Sequence, residues 1–295
     1  MTSLAYWPKE RIRSVTQDGI FSDKIQLDEE LSIHYQSSGR GSRTLLFIPG
    51  WTMSTRVFEH QLSYFSRSAD YRFVTYDPRS HGLSTDTADG HYYEQHGRDL
   101  HATIEALALD DIVLAGWSFG VLDALAYVSQ YGNDKLSGLI MLDGSPKSRG
   151  FDSETEWISY RYDDADQREE FFTMGPLRDR SATNIEFAHW MLEDISKANV
   201  DWVCEITNQT RNEVAALLNA TGAFLDYSSE LRQLSESIPL LYVVSEVLRD
   251  AVQNWSSLNT PNAQVSAFGK HLMFWERADE FNKVLSDYLS RVPRW

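Results

Sequence analysis

Cysteine is nearly absent: Cys204 stands alone in 295 residues. That count excludes an internal disulfide and any zinc site built from several thiolates. Basic residues are also short, 27 Lys and Arg against 43 Asp and Glu, for a formal net charge of −16. A phosphate backbone is bound through clustered Lys and Arg, so nucleic acid and anionic membrane surfaces are not expected partners. No run of about 18 uncharged apolar residues occurs, so no bilayer span is expected. The opening stretch, residues 1–13, lacks the apolar core of a signal peptide. Without an export signal, the Asn-x-Ser/Thr triplets at Asn208, Asn219 and Asn254 read as chance matches. A soluble, cytoplasmic protein is the default expectation. Hydrophobic residues make up 42% of the chain, which sets it apart from disordered sequences, where high charge goes with low hydrophobicity.

What is present is an alternation of short apolar runs and longer amphipathic stretches, the pattern of a mostly parallel sheet flanked by helices. Residues 25–27 and 31–36 read as an opening hairpin around the acidic turn Asp28-Glu29-Glu30. Residues 44–48 (TLLFI) form an apolar run ending in Pro49-Gly50, as expected of a strand buried on both faces. Residues 73–76, 112–115, 139–142 and 240–244 repeat that pattern, and 263–268 is a weaker candidate. Helical spacing lies between them, for example Phe281, Val284, Leu285, Tyr288 and Leu289.

The alternation breaks once, after residue 142. From there to residue 240 the spacing is helical and no strand is expected. This stretch holds Trp157, Phe171, Phe172, Phe187, Trp190 and Trp202, most of which read as its own core. Its acidic cluster, Asp163, Asp164, Asp166, Glu169 and Glu170, reads as a solvated helix face. The expected organisation is a sheet domain over 20–145 and 237–295, a helical cap over 146–236, and an N-terminal extension over 1–19.

Gly116-Trp117-Ser118-Phe119-Gly120 follows the run 112–115 and precedes the helical stretch 121–130. Strand, sharp turn and helix are what a G-x-S-x-G nucleophile elbow requires. The turn exposes the Ser118 hydroxyl at a helix N-terminus, where free N–H groups favour developing negative charge. A serine hydroxyl needs a neighbouring base. Of eight histidines, His91, His96 and His101 are spaced by five, which does not put them on one helix face. His271 lies in a short loop after the last apolar run, at the sheet edge where sites of open α/β sheets form, and is the candidate base. An oxyanion needs N–H donors. The backbone of Phe119 supplies one, and Trp51, in the loop after 44–48, is the natural second.

With these pieces placed, the sequence resembles the α/β-hydrolase superfamily over roughly residues 20 to 292. The matching text is Pro49-Gly50-Trp51, the stretch from Asp77 to Ser84 (DPRSHGLS), the elbow at Ser118, and His271 followed by Phe274, Glu276 and Phe281-Asn282. The resemblance implies an eight-stranded, mostly parallel sheet with a helical cap inserted after the sixth strand. It also implies that the stretch holding His81 is a structural turn. The elbow and the PGW loop look most like carboxylesterases of the pimeloyl-ester type and their small-molecule relatives. In the family the acid commonly follows the seventh strand, where this chain offers only Glu246 and Asp250. A variant places it after the sixth, where Asp143 stands at a strand end, and Asp143 is preferred.

Serine at the elbow argues against dehalogenases and epoxide hydrolases of this fold, which carry aspartate there. The expected activity is hydrolysis of a small or medium, largely apolar ester or lactone, by Ser118, His271 and Asp143. No metal or organic cofactor is implied, the partner is the small-molecule substrate, and a homodimer is left open. Two other classes are the alternatives. Cofactor-free dioxygenases look similar but carry histidines where this chain has Met53 and Phe119. A non-catalytic binding relative would not react at Ser118. Trp51, Met53 and Phe119 near the nucleophile predict an apolar pocket, and the acidic surface favours a neutral over a strongly anionic substrate.

Overall fold

The structure, a computed structural model, describes residues 19–152 and 155–293 in full and the backbone of 14–15. Most of the N-terminal extension expected over 1–19 therefore lies outside the described residues. The strands in chain order are β1 (Ser14–Val15), β2 (Phe21–Gln26), β3 (Ser32–Gly39), β4 (Arg43–Ile48), β5 (Tyr71–Tyr76), β6 (Ile112–Trp117), β7 (Leu136–Leu142), β8 (Lys147–Gly150), β9 (Ile158–Arg161), β10 (Leu240–Val244) and β11 (Gln264–Ala267). Nine of them form one sheet in the order β1-β2-β3-β5-β4-β6-β7-β10-β11. The first three pairings from the β1 edge, through β3 to β5, are antiparallel and the remaining five are parallel. The mostly parallel eight-stranded sheet is thus β2 to β7 with β10 and β11, and β1 adds a two-residue edge.

The central strands β4, β6, β7 and β10 are buried at every position. They read as unbroken apolar runs because helices cover both faces of a parallel sheet. Along Ala278–Leu289 the buried residues include Phe281, Leu285, Tyr288 and Leu289, while Lys283 and Asp287 face solvent, so the helical stripe turns inward as its spacing demands. Among the described residues no helix is long and apolar enough to cross a membrane.

Between β7 and β10 the structure corrects the sequence reading. Two strands occur there, β8 and β9, paired in parallel as a separate small sheet. Their texts, KSRG and ISYR, contain no apolar run. Long-range contacts hold them instead: Ser148 N–H donates to Leu225 O at 2.9 Å, and Lys147 pairs with Glu156. The rest is helical. A continuous run of turns from Tyr162 to Arg178 includes a π-turn at Glu170–Met174. Arg180–Met191, Lys197–Thr207, Asn212–Gly222 and Ser228–Leu234 follow.

The aromatics of this insertion pack partly on one another, Phe172 on Phe171 and Phe187 and Phe187 on Trp190, and partly on the sheet domain. Trp157 packs on Tyr242 and Trp255, with ring centroids 4.8 and 5.6 Å away. Phe172 and Phe187 close on Trp51 at 5.0 and 5.1 Å. These edge contacts seat the insertion on the carboxyl end of the sheet. The acidic cluster is solvent-facing except for Glu169, whose carboxylate binds Arg149, Thr173 Oγ1 and Asn219 Nδ2.

Candidate active site

Ser118 stands between the end of β6 and the helix Gly120–Tyr131 with φ at +55°. A non-glycine residue in this left-handed region is strained by about 1–3 kcal/mol. Packing enforces it: a Cβ on Gly116 would lie 2.3 Å from the Gly120 carbonyl oxygen, so the turn closes only over glycine. The Ser118 N–H is anchored to Leu142 O at 2.8 Å, which ties the elbow to the end of β7.

Asp143 follows β7 directly and is also left-handed, φ +43°. Its amide donates to Val243 O at 2.8 Å. Both carboxylate oxygens have partners: Oδ1 accepts from Ser245 N–H at 2.6 Å, and Oδ2 meets His271 Nδ1 at 2.7 Å. Asp143 and His271 are both buried. The other two acids that the sequence offers for this role lie elsewhere. Glu246 is exposed and paired with Arg249, and Asp250 is exposed in the first turn of Arg249–Asn259.

His271 is held from several sides. Its carbonyl accepts from Trp117 Nε1 at 2.9 Å, and its ring lies 5.2 Å from the Trp117 ring and 4.4 Å from that of Trp190. With Nδ1 occupied by Asp143, Nε2 is buried and has no hydrogen-bond partner among the described residues. Ser118, Asp143 and His271 all line one cavity of about 450 Å³. Phe119, Leu122, Trp157 and Trp190 contribute apolar wall to the same cavity.

The loop after β4 backs onto the elbow. A Cβ on Gly50 would stand 2.9 Å from Ser118 Cβ, so glycine permits the approach. Trp51 itself is buried, with Nε1 donating to Ala215 O at 2.8 Å. Among the described residues neither the Trp51 nor the Phe119 amide is engaged in a hydrogen bond. Met53 is fully buried and, like the Trp51 side chain, does not line the cavity; of the three residues expected to shape the pocket, only Phe119 does.

The remaining histidines lie apart from this site. His81 is buried beneath the elbow with Nδ1 against Arg79 O at 2.9 Å, and burial pulls its pKa down to about 4. The turn it occupies is built on Asp77, which accepts from Thr55 and Leu83 amides and meets His34. His96 meets Asp123 at 3.0 Å, and His101 stacks on Tyr131. Among the described residues no cluster of His, Cys, Asp and Glu could hold a metal ion. Cys204 lies in the helix Lys197–Thr207, away from the cavity, and burial raises its pKa.

Sequence reasoning missed Arg168, Trp190 and Ser245 as neighbours of the site. Ser245 carries one sequence signal, its place directly after the apolar run 240–244, but its neighbour Asp143 shows only in the pairing of β10 with β7. Arg168 was masked by the acidic residues around it, and Trp190 by a helical stripe that any packed helix would show.

Comparison with known proteins adds the following. The family described as alpha/beta hydrolase fold matches residues 43–246. A bifunctional esterase/perhydrolase of Acinetobacter calcoaceticus is 30% identical over 123 residues, covering 41% of this chain and 44% of that protein. The chain therefore spans less than half the length of that relative. A 2-hydroxy-6-oxononadienedioate/2-hydroxy-6-oxononatrienedioate hydrolase of Paraburkholderia phymatum is 24% identical over 284 residues, covering 89% of this chain and 92% of that one. A bromoperoxidase structure from Bacillus anthracis superimposes with a TM-score of 0.78 at 23% identity, covering 91% of this chain and 99% of its own.

Proposed function

The chain belongs to the alpha/beta hydrolase fold family, and from that premise we propose that it is a serine hydrolase cleaving a carboxylic ester or lactone through an acyl-enzyme. The observation that carries this reading is the 2.7 Å contact of His271 Nδ1 with Asp143, on the cavity that Ser118 lines. Nδ1–H given to the carboxylate leaves the lone pair on Nε2. Nε2 takes the Ser118 proton as Oγ attacks the ester carbonyl, and Asp143 stabilises the imidazolium that forms. The Trp51 and Phe119 amides receive the oxyanion. Collapse breaks the ester C–O bond, and His271 gives its proton to the departing alcohol. Water then attacks the acyl-enzyme by the same route, releasing the acid and restoring Ser118.

The left-handed backbone at Ser118 supports the reading, since strain of this kind concentrates at functional positions. So does similarity to a protein named as an esterase/perhydrolase. The division into a core of 20–145 and 237–295 and a cap of 146–236 belongs to the same proposal. The dioxygenase alternative finds no support in the cavity, where His271 is the one imidazole among the described lining residues.

Kinetics on short 4-nitrophenyl esters test the proposal. Ser118→Ala is expected to lower kcat/KM at least on the order of 10⁴-fold with the fold intact. Unchanged turnover in that variant, or turnover that requires oxygen, overturns it.

A further inference from the structure

The cavity at Ser118 holds a cation that this chemistry does not use. Arg168 sits in the helical turn Ala165–Glu169, and its side chain lines the cavity. Its guanidinium carbon lies 4.4 Å from the centre of the Tyr160 ring, 4.5 Å from Phe172 and 5.8 Å from Phe119. Arginines nearby are paired, Arg149 with Glu169, Arg161 with Asp163 and Arg178 with Glu170. Arg168 differs. Among the described residues it forms no ion pair, and its Nε is buried without a hydrogen-bond partner. The acids within reach are committed, Glu169 to Arg149, Thr173 and Asn219, and Asp143 to His271 and Ser245. Lys270, the other cation on the cavity, spends its Nζ on Leu192 O at 2.9 Å.

A guanidinium partly withdrawn from water without a counter-charge is costly, and the ring faces around Arg168 compensate only in part. They receive its charge but not its forked N–H donors, whose geometry matches a carboxylate. Burial pulls its pKa down to about 10, which leaves it charged at neutral pH.

We propose that Arg168 is a specificity residue that receives a free carboxylate carried by the substrate, so that the preferred substrate is a small ester bearing a second, unesterified acid group. The ester end of this statement rests on the serine hydrolase reading; the carboxylate end rests on Arg168 alone. Phe119 relates the two ends, with its amide proposed at the ester carbonyl and its ring beneath the guanidinium. The expectation of a neutral substrate, drawn from the net charge, is set aside: −16 describes the whole chain, whereas the cavity carries an unpaired cation.

Two probe pairs test the proposal, each an ester with a free carboxylate against its neutral methyl ester, with cleavage followed at the ester bond the two share. Monomethyl glutarate against dimethyl glutarate places the acid on the acyl side; carboxymethyl butyrate against its methyl ester places it on the alcohol side. The wild type is expected to prefer the anionic member of one pair. Arg168→Gln is expected to lower kcat/KM for that member by about 10- to 100-fold, mostly through KM, and to change the neutral ester by a much smaller factor, so that the preference collapses. Arg168→Lys, which keeps the charge and loses the fork, falls between. Should Arg168→Gln not fold, the wild-type preference and calorimetric binding of glutarate against glutaramide to Ser118→Ala decide instead. No anionic preference in either pair, with no binding of glutarate over glutaramide, overturns the proposal. Because glutarate binding to Ser118→Ala needs no turnover, it separates failure of this inference from failure of the hydrolase reading.

Discussion

Asp143 binds two groups that come from different strands. Oδ1 holds the Ser245 amide beyond β10, and Oδ2 holds His271 beyond β11. In the proposed mechanism the second bond sets the histidine tautomer, so Asp143→Asn, which can present an N–H to Nδ1, is expected to lower kcat/KM on the order of 10³- to 10⁴-fold. Glu246→Gln and Asp250→Asn, on exposed positions away from the ring, should keep wild-type activity. Steady-state kinetics on the three variants, with circular dichroism to show intact folding, check this. Activity surviving in Asp143→Asn and lost in Asp250→Asn would falsify the acid assignment. The elbow and the histidine were legible because each needs a local pattern: a glycine-flanked serine between strand and helix, and a histidine in a strand-end loop. The acid was less so. An aspartate after a strand is common, and only the β7–β10 pairing shows that Asp143 stands beside the last loop.

At the scale of elements, the insertion is stitched to the loop that carries His271. The Glu276 carboxylate accepts the amides of Glu193 and Asp194, all at 2.9 Å, and burial raises its pKa. Arg277 forks onto Glu193 at 2.7 Å, and Leu272 N–H reaches Met191 O. These bonds position the end of Arg180–Met191, and with it Trp190 beside the His271 ring. Glu276→Ala returns two exposed amides to water and releases the clamp, at a cost of about 0.5–1.5 kcal/mol. The expected outcome is a lower Tm, faster hydrogen exchange at 192–195 and a higher KM than kcat alone explains. Exchange at 192–195 matching the wild type would show that the clamp carries no such weight. None of this was legible beforehand, since Glu276 and Glu193 are far apart in sequence and each reads as ordinary surface charge. The same holds for β8 and β9, which are too short and polar to announce themselves and form only where Leu225 and Asp226 meet them.

For the whole molecule, the buried histidines beneath the elbow make stability depend on pH. His81 has its pKa pulled down to about 4 by burial, and His91 is lowered by burial and by His96. An unfolded histidine titrates near 6.5. Between these values the unfolded chain binds a proton that the folded chain does not, so stability is full above about pH 6.5 and is lost as pH falls toward 4. For His81 alone the loss is on the order of 3 kcal/mol. Urea unfolding between pH 7 and 4 should show it, and His81→Gln should flatten the curve. A midpoint that stays level over that range in the wild type would contradict the assignment. The fold was the most legible level of all, because buried parallel strands declare themselves as apolar runs and the elbow fixes where β6 ends. The cavity's charge was not legible: composition reports −16 for the chain, and says nothing of one unpaired arginine facing the serine's cavity.

The most direct measurement of the central claim is covalent labelling of the folded protein by a fluorophosphonate, with the adduct located by peptide mass spectrometry. The account predicts stoichiometric labelling on Ser118, abolished in Ser118→Ala and strongly slowed in His271→Ala. A folded wild-type protein that takes up no label, or takes it up at another residue, would contradict it.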